Sequence, residues 1–297
     1  MSSSRPEPHT DSPTSVRWFV LGIVAFAAAS AYLTRYCISA ANTTIQKDLG
    51  FSDAQMGELM GVFAFGYLLC QVPGGWLGNR FGTRFAFAFL SVCWSFSNLW
   101  SALASAFQMQ WASRFSLGLF QAGLAPLSAK ILKAWIPLQW RGRSSSWITA
   151  AMSVGGAFTM ILTGWLLAHD YGWRGIFAAY SVVGIVWALG FYWYFRTFPR
   201  NHRGVNQAEL NLIRKVAPSD DVATEPGKCE PSAGEDVAIH ETSHNALILN
   251  MLKCPGMWGL CIQSFFRAAG YVFFCDMVFR FPGIRLRHQQ GRSGSAE

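Results

Sequence analysis

Charge is what this sequence has least of. Only 13% of its 297 residues are Asp, Glu, Lys or Arg, where a soluble domain carries about 25%. That scarcity excludes an ordinary solvated surface, and 52% apolar residues with a mean hydropathy of +0.23 point to a membrane. Paired cysteines are missing too. The seven cysteines form no CxxC, and Cys37, Cys70, Cys93, Cys261 and Cys275 lie in apolar runs where thiols behave as small hydrophobes. Neither a metal centre nor a disulfide framework follows, and no cofactor is expected. There is no glycine-rich phosphate loop and no nucleophile elbow. The net charge of +8 does not mark a nucleic-acid partner, because the Lys and Arg residues fall between apolar stretches and not on one polar face. The residues up to Ser15 are polar, with no h-region and no cleavage site after the first apolar run, so no cleaved signal peptide is expected.

What the sequence does have is apolar runs of bilayer length, about 20 residues each at about 1.5 Å rise per residue. Seven occur: Arg17 to Ala41, Met56 to Gly78, Phe85 to Phe107, Met109 to Trp135, Ser144 to Ala168, Trp173 to Phe195, and Met257 to Phe279. The fold class is therefore all-α, a multipass bundle whose first partner is the lipid bilayer. Its organisation reads as a tail over 1–16, six helices over 17–198, a central linker over 199–253, a seventh helix over 254–281 and a tail over 282–297. The linker is rich in Pro, Ser, Asp and Glu and is too polar to build a core of its own.

Positive charge sets orientation, since short loops rich in Lys and Arg stay cytoplasmic. Arg80 and Arg84 follow the second run, Lys130, Lys133, Arg141 and Arg143 the fourth, and Arg196, Arg200, Arg203, Arg214 and Lys215 the sixth. The alternate loops carry little beyond Lys47 and Arg174. The expected arrangement has the N-terminus and the linker in the cytoplasm of a cell whose inner or plasma membrane holds the chain. The basic tail with Arg280, Arg285, Arg287 and Arg292 breaks this alternation and lacks apolar periodicity. It reads as the mark of a truncated or frameshifted product without its second bundle.

Charges inside the runs carry most of the functional signal, because a charge at mid-bilayer costs at least about 2.5 kcal/mol and usually faces water or a partner. Arg35 reads either as an arginine snorkelling to the outer interface or as an anion contact. Arg114, with Gly118, Gln121, Gly123 and Pro126 after it, reads either as a donor to backbone carbonyls between helices or as a second anion contact. A guanidinium presents a rigid fork of donors that matches carboxylate or phosphate, so two in one cavity select anions.

The stretch Gly75-Trp-Leu-Gly-Asn79-Arg80-Phe-Gly82-Thr-Arg84 resembles the signature loop between the second and third helices of the major facilitator superfamily. Tyr32-Leu-Thr34-Arg35, Arg114 to Gly123 and Gly172-Trp173-Arg174 resemble its anion:cation symporter branch, which includes hexuronate and galactonate transporters. The resemblance implies two six-helix halves that rock about a central site, with only the first half and a seventh helix here. It implies a small organic anion as substrate, contacted by Arg35, Tyr32, Tyr67 and Arg114. It also implies that Gly75, Asn79, Arg80, Gly82 and Arg84 belong to a cytoplasmic gate, although Arg84 reads equally as an orientation anchor.

Three departures bear on mechanism. The signature loop usually has an acid where Asn79 stands, and proton-coupled members have acids where Thr34 and Gln121 stand. Neither Thr34 nor Gln121 titrates, so the usual carboxylate proton relay is absent from this half, and anion exchange, facilitated diffusion or coupling through other residues is open in place of proton symport. Asp276 is the acid deepest in an apolar run and reads as a partner for Arg267. An organophosphate antiporter of the same superfamily is the sister reading. A different class is raised by His240-Glu241-Thr242-Ser243-His244, the spacing of a zinc protease, but it lies in a polar loop with poor helix formers between the imidazoles. A third is a purely structural membrane protein, since Gly74 and Gly78 let helices pack closely with or without transport.

Overall fold

The computed structural model describes residues 12–214 and five further positions, Trp258, Gly259, Ile262, Gln263 and Phe266. The chain divides into two units, Met1–Ala223 and Thr224–Glu297. In the second, the five described positions are helical. The seventh helix as a whole, Asp276, Arg267, the His240 to His244 motif and the basic tail lie outside the described residues.

The first unit is helical throughout its ordered elements: α1 Val16–Ala40, α2 Asn42–Leu49, α3 Asp53–Arg80, α4 Thr83–Leu103, α5 Phe107–Gln121, α6 Leu124–Trp135, α7 Leu138–Ala168, α8 Trp173–Tyr194 and α9 Gln207–Arg214. Among the described residues six spans are long and apolar enough to cross a bilayer, with α5 and α6 forming one of them over Phe107–Trp135. The division of that span comes from Pro126, which has no N–H to give the Ala122 carbonyl, so the ladder bends at Ala122 and Gly123. Local signals end the other helices. Gly50 closes α2 at φ +67°. Ser52 opens α3 with a reciprocal capping box, its hydroxyl accepting from Gln55 N at 3.3 Å and its own N–H reaching Gln55 Oε1 at 2.9 Å.

The helices pair as α1 with α7, α3 with α5, and α4 with both α8 and α5. Small residues allow these approaches. A Cβ on Gly118 would sit 2.2 Å from the Phe63 carbonyl oxygen, and one on Gly66 would sit 2.4 Å from that of Phe115. Thus α3 and α5 touch backbone to backbone, and dispersion between closely packed helices replaces the hydrophobic drive that lipid cannot supply. Two buried clusters fill the interior, one around Phe87, Trp94, Trp135, Phe191 and Phe195, the other around Cys37, Ile45, Trp173 and Phe177. Outward residues such as Val72, Leu103 and Trp193 are exposed and apolar, as lipid-facing positions must be.

Two polar clips close opposite ends of the bundle. At one end Asp48 of α2 accepts from Trp173 Nε1 at 3.0 Å and from Arg174 Nη1 at 2.6 Å, tying α2 to the start of α8. These two donors hold its carboxyl below the usual carboxylate range. At the other end Glu209 of α9, buried, accepts from Thr14 Oγ1, from Arg17 N at 3.2 Å and from Arg17 Nη1 at 3.3 Å. The guanidinium of Arg17 also lies over the rings of Trp18 and Trp140, at 5.6 and 5.3 Å. Residues 199–214, at the head of the stretch read as a polar linker, are thus folded as a 3-10 turn and α9. The linker's composition concealed this, because one buried acid and one N-capping asparagine, Asn206 accepting from Glu209 N at 3.0 Å, decide it.

Gly118→Ala is expected to destabilise the bundle by about 1–3 kcal/mol through overpacking, whereas Gly142→Ala, with open space around it, stays near neutral; thermal unfolding in detergent separates the two. Because the Asp48 carboxyl is lowered in the fold, the stability it lends is present above its ordinary value of 3.8 and is lost as pH falls below that. In acid unfolding, Asp48→Asn should remove that part of the pH dependence; an unchanged acid limb in the variant would contradict the clip.

Candidate functional site

Thr34 and Arg35 are neighbours on α1 and look in different directions, which organises the site. Arg35 turns toward α3 and lies over aromatic faces, 4.4 Å from the Phe63 centroid, 5.0 Å from Tyr67 and 5.3 Å from Tyr32. Tyr32 is itself 5.6 Å from Tyr36 and Phe63 is 6.1 Å from Tyr67, ring centroid to centroid. Arg35 is half-buried, and among the described residues its guanidinium has neither a carboxylate nor a hydrogen-bond acceptor. Ring faces attract the cation by their quadrupole while leaving its N–H edges free for an anion.

Thr34 turns the other way, into the seam between α1 and α5. Gln121 Nε2 donates to Thr34 Oγ1 at 2.8 Å and to the Ala31 carbonyl at 3.1 Å, while the Thr34 hydroxyl donates to that same carbonyl at 3.0 Å. Two helical turns earlier on α5, Arg114 Nη1 donates to the Thr34 carbonyl at 3.3 Å. Arg114 is only 1% exposed, and its Nε and Nη2 have no hydrogen-bond partner. Cys37 Sγ also reaches the Thr34 carbonyl, at 3.2 Å, and Asn98 Oδ1 at 3.5 Å. Asn98 in turn donates to the Phe177 carbonyl at 2.9 Å and Ser181 Oγ at 3.0 Å. A buried polar chain therefore runs from α5 through α1 and α4 to α8.

The residues read from the sequence form two adjacent groups. Arg35, Tyr32 and Tyr67 make one, joined by Phe63; Thr34, Gln121 and Arg114 make the other, joined by Cys37 and Asn98. Of the two sequence readings of Arg114, the interhelical donor to a carbonyl is the contact this conformation makes, and its unpartnered Nε and Nη2 leave donors over. The spacing of Tyr, Arg and Thr on α1 is legible in the sequence. Phe63, Cys37 and Asn98 carry no sequence signal that separates them from ordinary core residues.

The second set of residues lies at the far end of α3, Asn79 being about 18 Å along the helix from Tyr67. Asn79 Oδ1 accepts from Lys130 Nζ, which also donates to the Gly75 carbonyl at 3.4 Å. Lys130 of α6 is thus a partner that the sequence reading assigned only to orientation. Gly82 holds φ +80° at the start of α4, a conformation that L side chains rarely adopt. Arg84 Nε donates to the Tyr192 carbonyl at 2.7 Å, with its guanidinium 4.4 Å from the Tyr192 ring centroid, at the C-terminal end of α8 where a cation is favourable. Arg80 is exposed and has no partner among the described residues. Among these residues no group of three or more His, Cys, Asp and Glu could hold a metal ion.

The profile of the Major Facilitator Superfamily matches residues 24–290. The chain belongs to that superfamily. Its spans make it an integral membrane protein. Among curated members of known sequence, it is 31% identical over 209 residues to the probable galactarate/D-glucarate transporter GudP of Bacillus subtilis, covering 68% of this chain and 45% of that one. It is 34% identical over 193 residues to a probable L-galactonate transporter of Escherichia coli, covering 64% and 42%. Among solved superfamily structures, a bacterial homologue of the lysosomal transporter Spinster, inward-facing and unoccupied, aligns with TM-score 0.55 at 22% identity over 64% of this chain and 45% of its own. The proton:xylose symporter XylE, bound to 6-bromo-6-deoxy-D-glucose, aligns with TM-score 0.57 at 17% identity over 67% and 50%. These likenesses show the fold. The chain spans about half the length of the curated relatives it matches.

Gln121→Leu removes two of the three bonds that join α5 to α1, leaving the one from Arg114 to the Thr34 carbonyl, and takes one donor from each of the Thr34 hydroxyl and Ala31 carbonyl oxygens. We predict a loss of about 1–3 kcal/mol in unfolding free energy, read by chemical unfolding in detergent; a variant as stable as the parent would show that the seam does not hold the helices together.

Proposed function

We propose that the chain acts in secondary transport of small organic anions, sugar acids above all, by alternating access in the plasma membrane with its N-terminus in the cytoplasm. The observation that carries this reading is Arg35, a guanidinium inside the first span, held by three aromatic rings and without an acid among the described residues. A charge in that position is retained at a cost and marks a pathway. The names of the relatives, which carry galactarate, D-glucarate and L-galactonate, support the same class of solute. In this reading Arg35 binds the substrate carboxylate, Tyr32 and Tyr67 flank it, and Arg114, Thr34 and Gln121 form the deeper wall. Gly75, Asn79, Arg80, Gly82 and Arg84 serve the cytoplasmic gate together with Lys130. The basic loops at the Arg80, Arg141 and Arg196 end support the cytoplasmic assignment of that end. No enzymatic step and no cofactor enters the reading, and lipid is the only other partner it needs.

Where proton-coupled members place acids, the Thr34 hydroxyl and the Gln121 amide nitrogen here bond to each other and to the Ala31 carbonyl. The transport reading therefore includes no carboxylate proton relay in these spans. The test is uptake of labelled galactarate, galactonate, hexuronates and sugar phosphates into proteoliposomes, with the chain alone and joined in frame to the second half of the Bacillus subtilis relative. Sugar-acid uptake should fall at least about tenfold in Arg35→Ala, the loss of one charge-assisted contact, and should vary little between about pH 6 and 8, where neither Thr34 nor Gln121 titrates. Correctly inserted protein that takes up no anion in either form would sink the proposal.

A further inference from the structure

One end of the bundle is basic and has almost no acid to offset it. Among the described residues, the end where α1, α4 and α7 begin and α3, α6 and α8 finish carries eleven Lys and Arg residues and one acid, Glu209. That acid is buried and spent on Arg17 and Thr14. Two of the cations are brought together by the last turn of α8. Arg84 Nε donates to the Tyr192 carbonyl at 2.7 Å, and Arg196 Nη1 donates to the next carbonyl along the chain, that of Trp193, at 2.9 Å. Arg196 Nη1 also reaches the Phe195 carbonyl at 3.0 Å, and the Arg196 carbonyl is pinned by Trp135 Nε1 at 3.2 Å. The start of α4 lies against the same stretch, since a Cβ on Gly82 would meet Thr197 Oγ1 at 3.6 Å. The two guanidiniums therefore stand at one spot, where α4 begins and α8 finishes.

Capping the last carbonyls of α8 accounts for where these arginines sit, and it uses one nitrogen of each. Arg84 Nη1 and Nη2 and Arg196 Nε and Nη2 have no acceptor among the described residues. Four donor nitrogens and two full charges are left over on partly exposed side chains. The surface beside them is apolar. Phe85, Phe89 and Phe96 are exposed along the outer face of α4, with Phe81 just ahead of them. Ring centroids are 6.0 Å apart for Phe81 and Phe85, and 5.7 Å for Phe85 and Phe89, which stack at 12°. On α8, Leu189, Tyr192 and Trp193 are exposed as well, and the Arg84 guanidinium lies 4.4 Å from the Tyr192 ring centroid. From Phe85 to Phe96 the row runs about 16 Å, against about 15 Å for the hydrocarbon of one leaflet. A soluble anion would use the cations alone, whereas a lipid uses both the cations and the row.

We propose that an anionic phospholipid binds at this seam, its phosphate on Arg84 and Arg196 and an acyl chain along Phe85, Phe89 and Phe96. A zwitterionic lipid fits the row equally well, but its own ammonium offsets its phosphate, so the two arginines select by headgroup charge. The site lies on the outer surface of α4 and α8 and stands apart from the anion site at Arg35 and from the transport reading.

Native mass spectrometry of the purified full chain in detergent tests this, with equal amounts of phosphatidylglycerol and phosphatidylcholine of identical chains. The parent is expected to hold one phosphatidylglycerol at least about tenfold more tightly than phosphatidylcholine. Each arginine is worth about fivefold, the effect of one cation at an anionic lipid surface, so Arg84→Gln with Arg196→Gln should bring the two lipids within about threefold of each other. Arg143→Gln, which removes an exposed cation from α7 at the same end, should leave the preference intact. If the double variant fails to fold by circular dichroism, the single variants carry the test, at about fivefold each. Glycerol 3-phosphate, which has the phosphate without the chains, should not displace the lipid at millimolar concentration. Equal retention of both lipids by the parent, or a preference that Arg143→Gln weakens as much as the pair does, would overturn the proposal. Displacement by glycerol 3-phosphate would overturn it too, by marking a site for a soluble phosphate instead of a lipid.

Discussion

A guanidinium enclosed between two membrane helices with one carbonyl to bond is the constraint that shapes this bundle. Arg114 cannot shed its proton and cannot reach water, so the helices around it must supply what lone pairs they can. Thr34 lends its carbonyl, and the polar groups nearest it are bound in a chain that runs to Asn98 and Ser181. That chain fixes how α1, α4, α5 and α8 stand to one another. The glycines that let α3 and α5 meet backbone to backbone bring Phe63 and Tyr67 to the same level, where they receive Arg35. Packing and charge are therefore one problem here: the close helix contacts also bring Phe63 and Tyr67 within reach of Arg35.

The two ends of the bundle solve a simpler problem. Asp48 and Glu209 each tie a short helix to a span by accepting several donors at once. Exposed pairs such as Asp48 with Arg174 contribute little energy on their own. Their role is geometric, since they set where α2 and α9 leave the bundle. The Asn79 to Lys130 contact likewise ties one helix to another, α3 to α6, and in the proposed transport reading it belongs to the cytoplasmic gate. A neutral amide partner there makes the contact easier to break than an ion pair would be.

Much of this was legible in the sequence, for physical reasons that differ from part to part. The six spans follow from apolar runs of bilayer length, which tertiary context cannot disguise. Arg35 and Arg114 stood out because charge in such runs is rare and costly. Tyr32 and Tyr67 were reached by resemblance, and the structure sets their rings beside Arg35. The break at Ala122 and Gly123 could have been read from Pro126. What stayed hidden depends on contacts between distant positions: Phe63 beneath Arg35, Cys37 and Asn98 behind Thr34, Lys130 on Asn79, and α9 folded back onto Arg17. Each is ordinary by type and gains its place only from its neighbour, and the spacing of one sequence does not reveal neighbours.

The central claim is that Arg35, framed by Tyr32, Phe63 and Tyr67, is where an anion binds. An experimental structure in a lipid nanodisc with a sugar acid added tests it most directly. The account predicts a carboxylate against the Arg35 guanidinium at about 2.7–2.9 Å, the distance of a charge-assisted hydrogen bond, with the sugar chain between α1, α3 and α5. A solute resting elsewhere in the bundle, with Arg35 turned out to the lipid interface, would contradict it.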